Sequence, residues 1–207
     1  MIKVKKSLSV LPCFTHVEKI SSITSGLSQK CFKVYADNKV YFAKTTSSRT
    51  EAKIAIAAAK QAFSPSVYYH DQHWLITDFI TADNLALITL KNDEKINVAI
   101  KLMVKSHQLN TKPAKLEPHV IMSNLIKQTK FSVQHKKILL QFSKSVLALL
   151  NDKNNLVCCH GDMNFSNVLI DKEKKSWLVD YECACIAPIE YDLAMFIAIN
   201  CFCEDKI

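Results

Sequence analysis

Glycine is scarce in this 207-residue chain: only Gly26 and Gly161 are present, so each marks a place where the backbone needs unusual freedom. Arginine is scarcer still. Of 27 basic residues Arg49 is the one arginine, which leaves 27 − 1 = 26 lysines. Readers of bases and phosphates favour the planar guanidinium fork. The net charge of +8 therefore reads as a solvated lysine surface and not as a nucleic-acid interface, although its field would draw anionic ligands such as nucleotides. The eight cysteines include no CxxC pair, which excludes zinc-ribbon spacing. Cys158 and Cys159 lie in an apolar run and read as small buried hydrophobes of a reducing compartment. Long hydrophobic runs are also lacking. Leu193 to Cys203 is too short to span a bilayer, and the lysine-bearing N-terminus meets Thr15 and His16 too early for a signal peptide. The expectation is a cytoplasmic protein with no membrane insertion and no nucleic-acid partner.

What is present is a hydrophobic share of 49%, enough for a sizeable core in one large domain or two small lobes sharing a cleft. Residues ~17–45 alternate in the manner of antiparallel hairpins, with turn signals at Gly26 and at Ala36-Asp37-Asn38. EAKIAIAAAKQAF reads as a helix with Thr50 as its N-cap and Pro65 as its end. SVYYH and HWLITDFI read as two further strands, and Ala82-Asp83-Asn84 as a break. Beyond Leu85 helices dominate: NDEKINVAIKLMVKSHQL, then a polar stretch containing Pro113 and Pro118, then HKKILLQFSKSVLALL, and a last helix from about Tyr191. Residues 1–80 form the expected N-terminal lobe and 81–207 the helical C-terminal lobe.

The stretch VCCHGDMNFSN, followed by VLI and WLVDYE, carries the chemistry. An extended apolar run leads to His160; Gly161 permits a sharp turn; Asp162 is displayed at the strand end and Asn167 follows five residues on. VLI and WLVD form a hairpin that delivers Asp180. A carboxylate beside an incoming hydroxyl can position it and take its proton, while an Asn and an Asp are hard oxygen ligands suited to Mg2+. Taken singly, Asp162, Asn164 and Asn167 are ordinary turn residues. The joint pattern is that of phosphoryl transfer from ATP.

HGDMNFSNVLI, LVDYE and YDLA resemble the aminoglycoside phosphotransferase and choline/ethanolamine kinase superfamily, relatives of the protein kinases, over about residues 17–200. The VDYE run leans toward the choline, ethanolamine and thiamine kinase branch. The resemblance implies an α+β, two-lobed protein-kinase-like fold: a small antiparallel sheet with a helix, then a mainly helical lobe. It implies Asp162 as catalytic base, Asn167 and Asp180 as metal ligands, and His160 and Asp192 as braces of the loop, with His107 also structural. Lys44, ending the strand KVYFAK, would meet the α- and β-phosphates, and Glu51 would pair with it. Ser25, Gly26, Leu27 and Ser28 would form the turn over the phosphates; backbone groups from Asp78 through Phe79 to Ile80 would bond adenine. ATP and Mg2+ are the implied cofactors. The expected acceptor is a small amino alcohol or similar molecule; the alternatives are an aminoglycoside-type antibiotic phosphotransferase and a nucleotide-binding pseudokinase acting by interaction. Against the family pattern the chain is C-terminally short, and Cys183 and the aliphatic segment after Asp192 replace aromatic positions of a choline cage. LAMFIAINCFC is apolar on nearly every side, which predicts an exposed patch at Phe196, Ile197 and Phe202, or a homo-oligomer that covers it.

Overall fold

The computed structural model describes residues 2–23, 29–46, 49–149 and 155–201. Five antiparallel strands make the N-terminal sheet: β1 (Val17–Ile23), β2 (Cys31–Ala36), β3 (Lys39–Thr45), β4 (Val67–His70) and β5 (Trp74–Asp78), in the order β1-β2-β3-β5-β4. Asp37 and Asn38, both left-handed at φ 50° and 61°, make the tight β2–β3 turn. One sheet face buries Phe32, Val34, Tyr41, Ala43, Trp74 and Ile76. Against it lies α1 (Ile2–Ser9), a helix the sequence pattern does not announce. Eight residues are too few for a helix to persist alone; fully buried Leu8 holds it to the sheet core, and such burial contributes about 2 kcal/mol.

Helix α2 (Arg49–Lys60) begins one residue before Thr50, which therefore sits in the first turn and is not the N-cap. Nor does Pro65 end it. The helix stops at Lys60 because Ala62 turns left-handed (φ 59°), letting the Phe63 and Ala62 N–H groups donate to the Ala58 and Ala59 carbonyls. That is a Schellman closure with alanine where glycine is usual. A Cβ in this conformation costs about 1 kcal/mol, so Ala62→Gly should stabilise the protein by about 0.5–1 kcal/mol, read as a higher urea midpoint at unchanged slope.

The rest of the chain surrounds α3 (Asn92–His107). Ala99, Leu102 and Met103 of α3 share one core with Ile54 and Ala58 of α2 and with Phe63, Leu85 and Leu178. Ala82-Asp83-Asn84 is not a break but β6 (Ala82–Asn84), paired with β8 (Val168–Asp171), which pairs in turn with β9 (Ser176–Leu178). The partner strand lies far along the chain, so local composition could not show the pairing. The same holds for β7 (Leu156–Cys159), which pairs with β10 (Cys185–Pro188), a strand absent from the sequence reading. Pro118, read as part of a polar connector, is the first residue of α4 (Pro118–Gln128), where its missing N–H does no harm. Helices α5 (Val133–Leu149) and α6 (Ile189–Ile199) complete the described residues. Phe196 is buried, not exposed: its ring meets Phe165 edge-on at 5.6 Å. Ile197 is 52% exposed, as expected, and Phe202 lies outside the described residues. No helix among the described residues is long and apolar enough to cross a membrane.

Candidate active site

The end of β7 delivers His160, Gly161 and Asp162. Their backbone is fixed from below by Asp192 of α6, a fully buried carboxylate. One Asp192 oxygen accepts the Gly161 N–H (2.8 Å); the other accepts the His160 N–H (2.9 Å) and faces His107 Nε2 (2.8 Å). Burial raises the pKa of this carboxyl, but the bonds from His107, Gly161 and His160 outweigh it, and the net shift is downward. His107, Cys159 and Asp192 are close enough to suggest a metal cluster. Their polar atoms are already engaged, however: the Cys159 thiol points to the Ala187 and Pro188 carbonyls, and His107 to Asp192.

His160 is wholly buried, and burial lowers its pKa, so the ring is neutral. Nε2 donates to the Val179 carbonyl (3.1 Å), and Nδ1 accepts the Asp162 N–H (3.3 Å). One ring thus links the residue before Asp180 to Asp162. Gly161 has φ 77°, and a Cβ there would stand 2.3 Å from the Cys183 carbonyl oxygen. Both the conformation and the space demand glycine. Gly161→Ala should displace the 181–183 turn and destabilise the protein by about 2–4 kcal/mol, seen as a lower melting temperature.

Beyond Asp162 the chain makes a single 3-10 turn, Phe165–Asn167, capped by the Asn164 side chain on the Ser166 N–H (3.0 Å). The turn brings Asn167 back over the loop: its amide nitrogen donates to the Asp162 carbonyl and to Asp162 Oδ2, both at 3.0 Å. Its amide oxygen is the atom left to face a ligand. Asn200, which the sequence reading did not single out, locks the loop from α6. Its Oδ1 accepts the Phe165 N–H (3.1 Å), and its amide nitrogen donates to the Met163 carbonyl (2.9 Å). An Asn just past a helix end could have been flagged as a cap, but nothing local says which loop it holds.

Across the cleft, Lys44 on β3 is buried. Its ammonium bonds Glu51 Oε1 (2.9 Å), Asp180 Oδ1 (2.5 Å) and Glu182 Oε2 (3.0 Å). The second Glu51 oxygen accepts the Thr46 hydroxyl (3.0 Å). Burial opposes the lysine's charge, but Glu51 and Asp180 hold its pKa above the ordinary lysine range. The short gap from Lys44 to Glu51 is spanned because the strand leads almost at once into the first turn of α2. Asp180 itself is left-handed (φ 70°), which turns the chain out of the β8–β9 hairpin.

Lys44, Glu51, Asn167 and Asp180 line one cavity of about 430 Å³ together with Asp78, Phe79 and Ile80. Phe42, Leu75, Leu169 and Val179 supply apolar walls that the sequence reading did not name. Two of the three expected adenine donors are already spent: the Asp78 N–H goes to the Ser66 carbonyl (3.0 Å) and the Phe79 N–H to Val40 (3.2 Å). The Ile80 N–H has no partner among the described residues and is the donor left for a base edge. Ser25, Gly26, Leu27 and Ser28 lie outside the described residues.

Mg2+ fits this donor set. Three carboxylates around one ammonium leave an excess of negative charge that a divalent cation would offset, and the nearest atoms are hard oxygens.

Comparison with known proteins agrees with this architecture. The family model for choline/ethanolamine kinase matches residues 20–205. A curated relative, probable choline kinase 2 of Arabidopsis thaliana, is 36% identical over 58 residues; the match covers 28% of this chain and 15% of that protein. Among solved structures, the choline kinase LicA from Streptococcus pneumoniae superposes with a TM-score of 0.76 at 15% identity, covering 99% of this chain and 76% of that one; it is also known in complex with AMP. A spectinomycin phosphotransferase, in complex with ADP and spectinomycin, gives a TM-score of 0.61 at 15% identity over 95% of this chain and 73% of the other. At these identities the structural likenesses show the fold: protein-kinase-like, with an antiparallel sheet and a mainly helical remainder.

Proposed function

From its membership of the choline/ethanolamine kinase family, we infer that this chain is an ATP-dependent kinase of a small hydroxyl compound, with an amino alcohol such as choline or ethanolamine as the acceptor class. The observation that carries the reading is one cleft lined by Asn167, which is bonded to Asp162, and by Asp180, which is bonded to Lys44. The boundary between the lobes falls near residue 80, and the nucleotide lies between them. Phe42, Leu169 and Val179 enclose the base, and the Ile80 N–H bonds its edge. Nucleotide complexes of the relatives, with AMP and with ADP, support the choice of ATP.

In this reading Asp162 Oδ1 accepts the acceptor's hydroxyl proton as that oxygen bonds to the γ-phosphorus. The bond from γ-phosphorus to the bridging oxygen breaks, and ADP leaves. Asn167 pins Asp162 through Oδ2, so the other oxygen faces the hydroxyl. Asn167 Oδ1 and Asp180 would hold Mg2+, which supplies charge neutralisation for the phosphates. Lys44 has three protons and three carboxylate partners; with Asp180 holding Mg2+, one N–H would be free for a phosphate. Glu51 keeps the ammonium in place, as a buried partner that has no other cation near it among the described residues.

The test is ADP release from ATP·Mg2+ in the presence of choline, ethanolamine, thiamine or an aminoglycoside. The expected result is release that depends on one of the amino alcohols. Release with the aminoglycoside alone would reassign the acceptor, and nucleotide binding with no acceptor-dependent turnover would point to a pseudokinase.

A further inference from the structure

Helices α4 and α5 form a hairpin that packs mainly on itself. Among its described side chains only Ile126 of α4 and Ser143 of α5 are buried. At the short turn between them Phe131 is 54% and Val133 86% exposed. Along α5, Ile138, Leu139 and Phe142 are exposed and fall on one side at 100° per residue, while Lys137 and Lys144 fall on the other. Ile121 and Leu125 of α4 are exposed as well. The charge is of one sign. From Pro118 to Asn151 there are five lysines, at 127, 130, 136, 137 and 144, and no Asp or Glu, although the chain as a whole carries 19 acids. The turn is held rigid. Lys136 Nζ donates to the Lys127 carbonyl at the end of α4 (2.9 Å), and the Ser132 hydroxyl accepts the His135 N–H (3.3 Å) at the start of α5.

We propose that this hairpin docks peripherally on an anionic lipid surface, with Phe131 and Val133 entering the headgroup region and the surrounding lysines meeting lipid phosphates and carboxylates. A solvated lysine face alone would not place an aromatic and a β-branched residue in water at the turn. At 100° per residue Val133 falls on the Lys137 and Lys144 side of α5, so this apolar tip residue and the basic side chains can meet one anionic layer together. Lysine stems cover apolar surface while their ammonium groups reach the headgroups. Each lysine near such a surface strengthens binding several-fold, and the apolar tip supplies a salt-resistant part.

Cosedimentation of the whole chain with vesicles of phosphatidylcholine alone, or with about a third phosphatidylserine, tests this. Binding to the anionic vesicles should be about tenfold or more the tighter, and should weaken with salt. The double variants Phe131→Ser with Val133→Ser, and Lys130→Glu with Lys137→Glu, should each lose about tenfold or more in vesicle affinity. Their melting temperatures should match that of the parent, because these side chains are exposed. Equal binding to both vesicle types, no binding, or unchanged affinity in the variants overturns the proposal. So does a concentration-dependent dimer that the Phe131 and Val133 changes abolish, since that assigns the face to a second copy. Preference for a polyglutamate peptide over vesicles assigns it to an acidic protein and overturns it equally.

Discussion

Replacing Asp162 by asparagine should lower acceptor-dependent turnover by about a thousandfold while leaving nucleotide affinity within about threefold of the parent. The substitution is nearly isosteric. The Asn side chain can still accept the Asn167 amide at its oxygen, so the contact now made at 3.0 Å survives. What disappears is the negative oxygen able to orient and deprotonate a hydroxyl. Asp162 makes no contact with Lys44, whose carboxylate partners are Glu51, Asp180 and Glu182, so the Lys44 side of the cleft is untouched. Steady-state kinetics with the preferred acceptor, alongside fluorescence titration of a nucleotide analogue, separates the two effects. Undiminished turnover would remove Asp162 from the mechanism. A parallel loss of nucleotide binding would mean that the loop had collapsed.

The second large effect is on stability. Asp192→Asn should destabilise the protein by about 3–5 kcal/mol. Three donors converge on two carboxylate oxygens in a site closed to solvent. An amide offers one acceptor oxygen, and its NH2 would face an N–H group, leaving a buried donor unsatisfied. Acid dependence provides a second readout. The folded-state pKa of Asp192 is depressed, so its stabilising contribution is complete above the unfolded value near 4 and is lost as pH falls through the lower folded value. The parent should therefore lose stability more steeply than the variant below about pH 4. Urea midpoints measured from neutral to acid pH would show it, and parallel curves would refute the role given to the carboxylate.

The sequence shows some parts of this molecule far better than others, for physical reasons. His160, Asp162, Asn167 and Asp180 fall within 21 consecutive positions, and their geometry depends on one strand, one turn and one hairpin. Local patterning is enough to bring them together. Lys44 and Glu51 rest on the family resemblance; seven residues is a short gap for an ion pair, closed here because Lys44 lies at a strand end and Glu51 in the first turn of the next helix. What stayed hidden depends on distant partners. β6 reads as a break until Val168–Asp171 supplies its ladder; β10 needs β7; α1 needs the sheet face that buries Leu8. Asn200 is an ordinary helix-end residue until the fold sets it under Met163 and Phe165. Phe196 looked like unprotected apolar surface because its cover, Phe165, belongs to a turn the helix meets only in three dimensions. Asp78, Phe79 and Ile80 line the cavity, but strand pairing decides which of their N–H groups remain available, and among the described residues it leaves Ile80.

The neutral His160 ring limits where a proton can travel. Its Nδ1 lone pair is filled by the Asp162 N–H, and its Nε2 hydrogen is given to the Val179 carbonyl. A wire from Asp162 through this ring would need one nitrogen to receive the proton and the other to pass it on, and both are already engaged. In the proposed reaction the proton that Asp162 takes from an acceptor hydroxyl would therefore not pass inward through this ring. Asp162 would have to give that proton to solvent or to the departing product before it could take a second one.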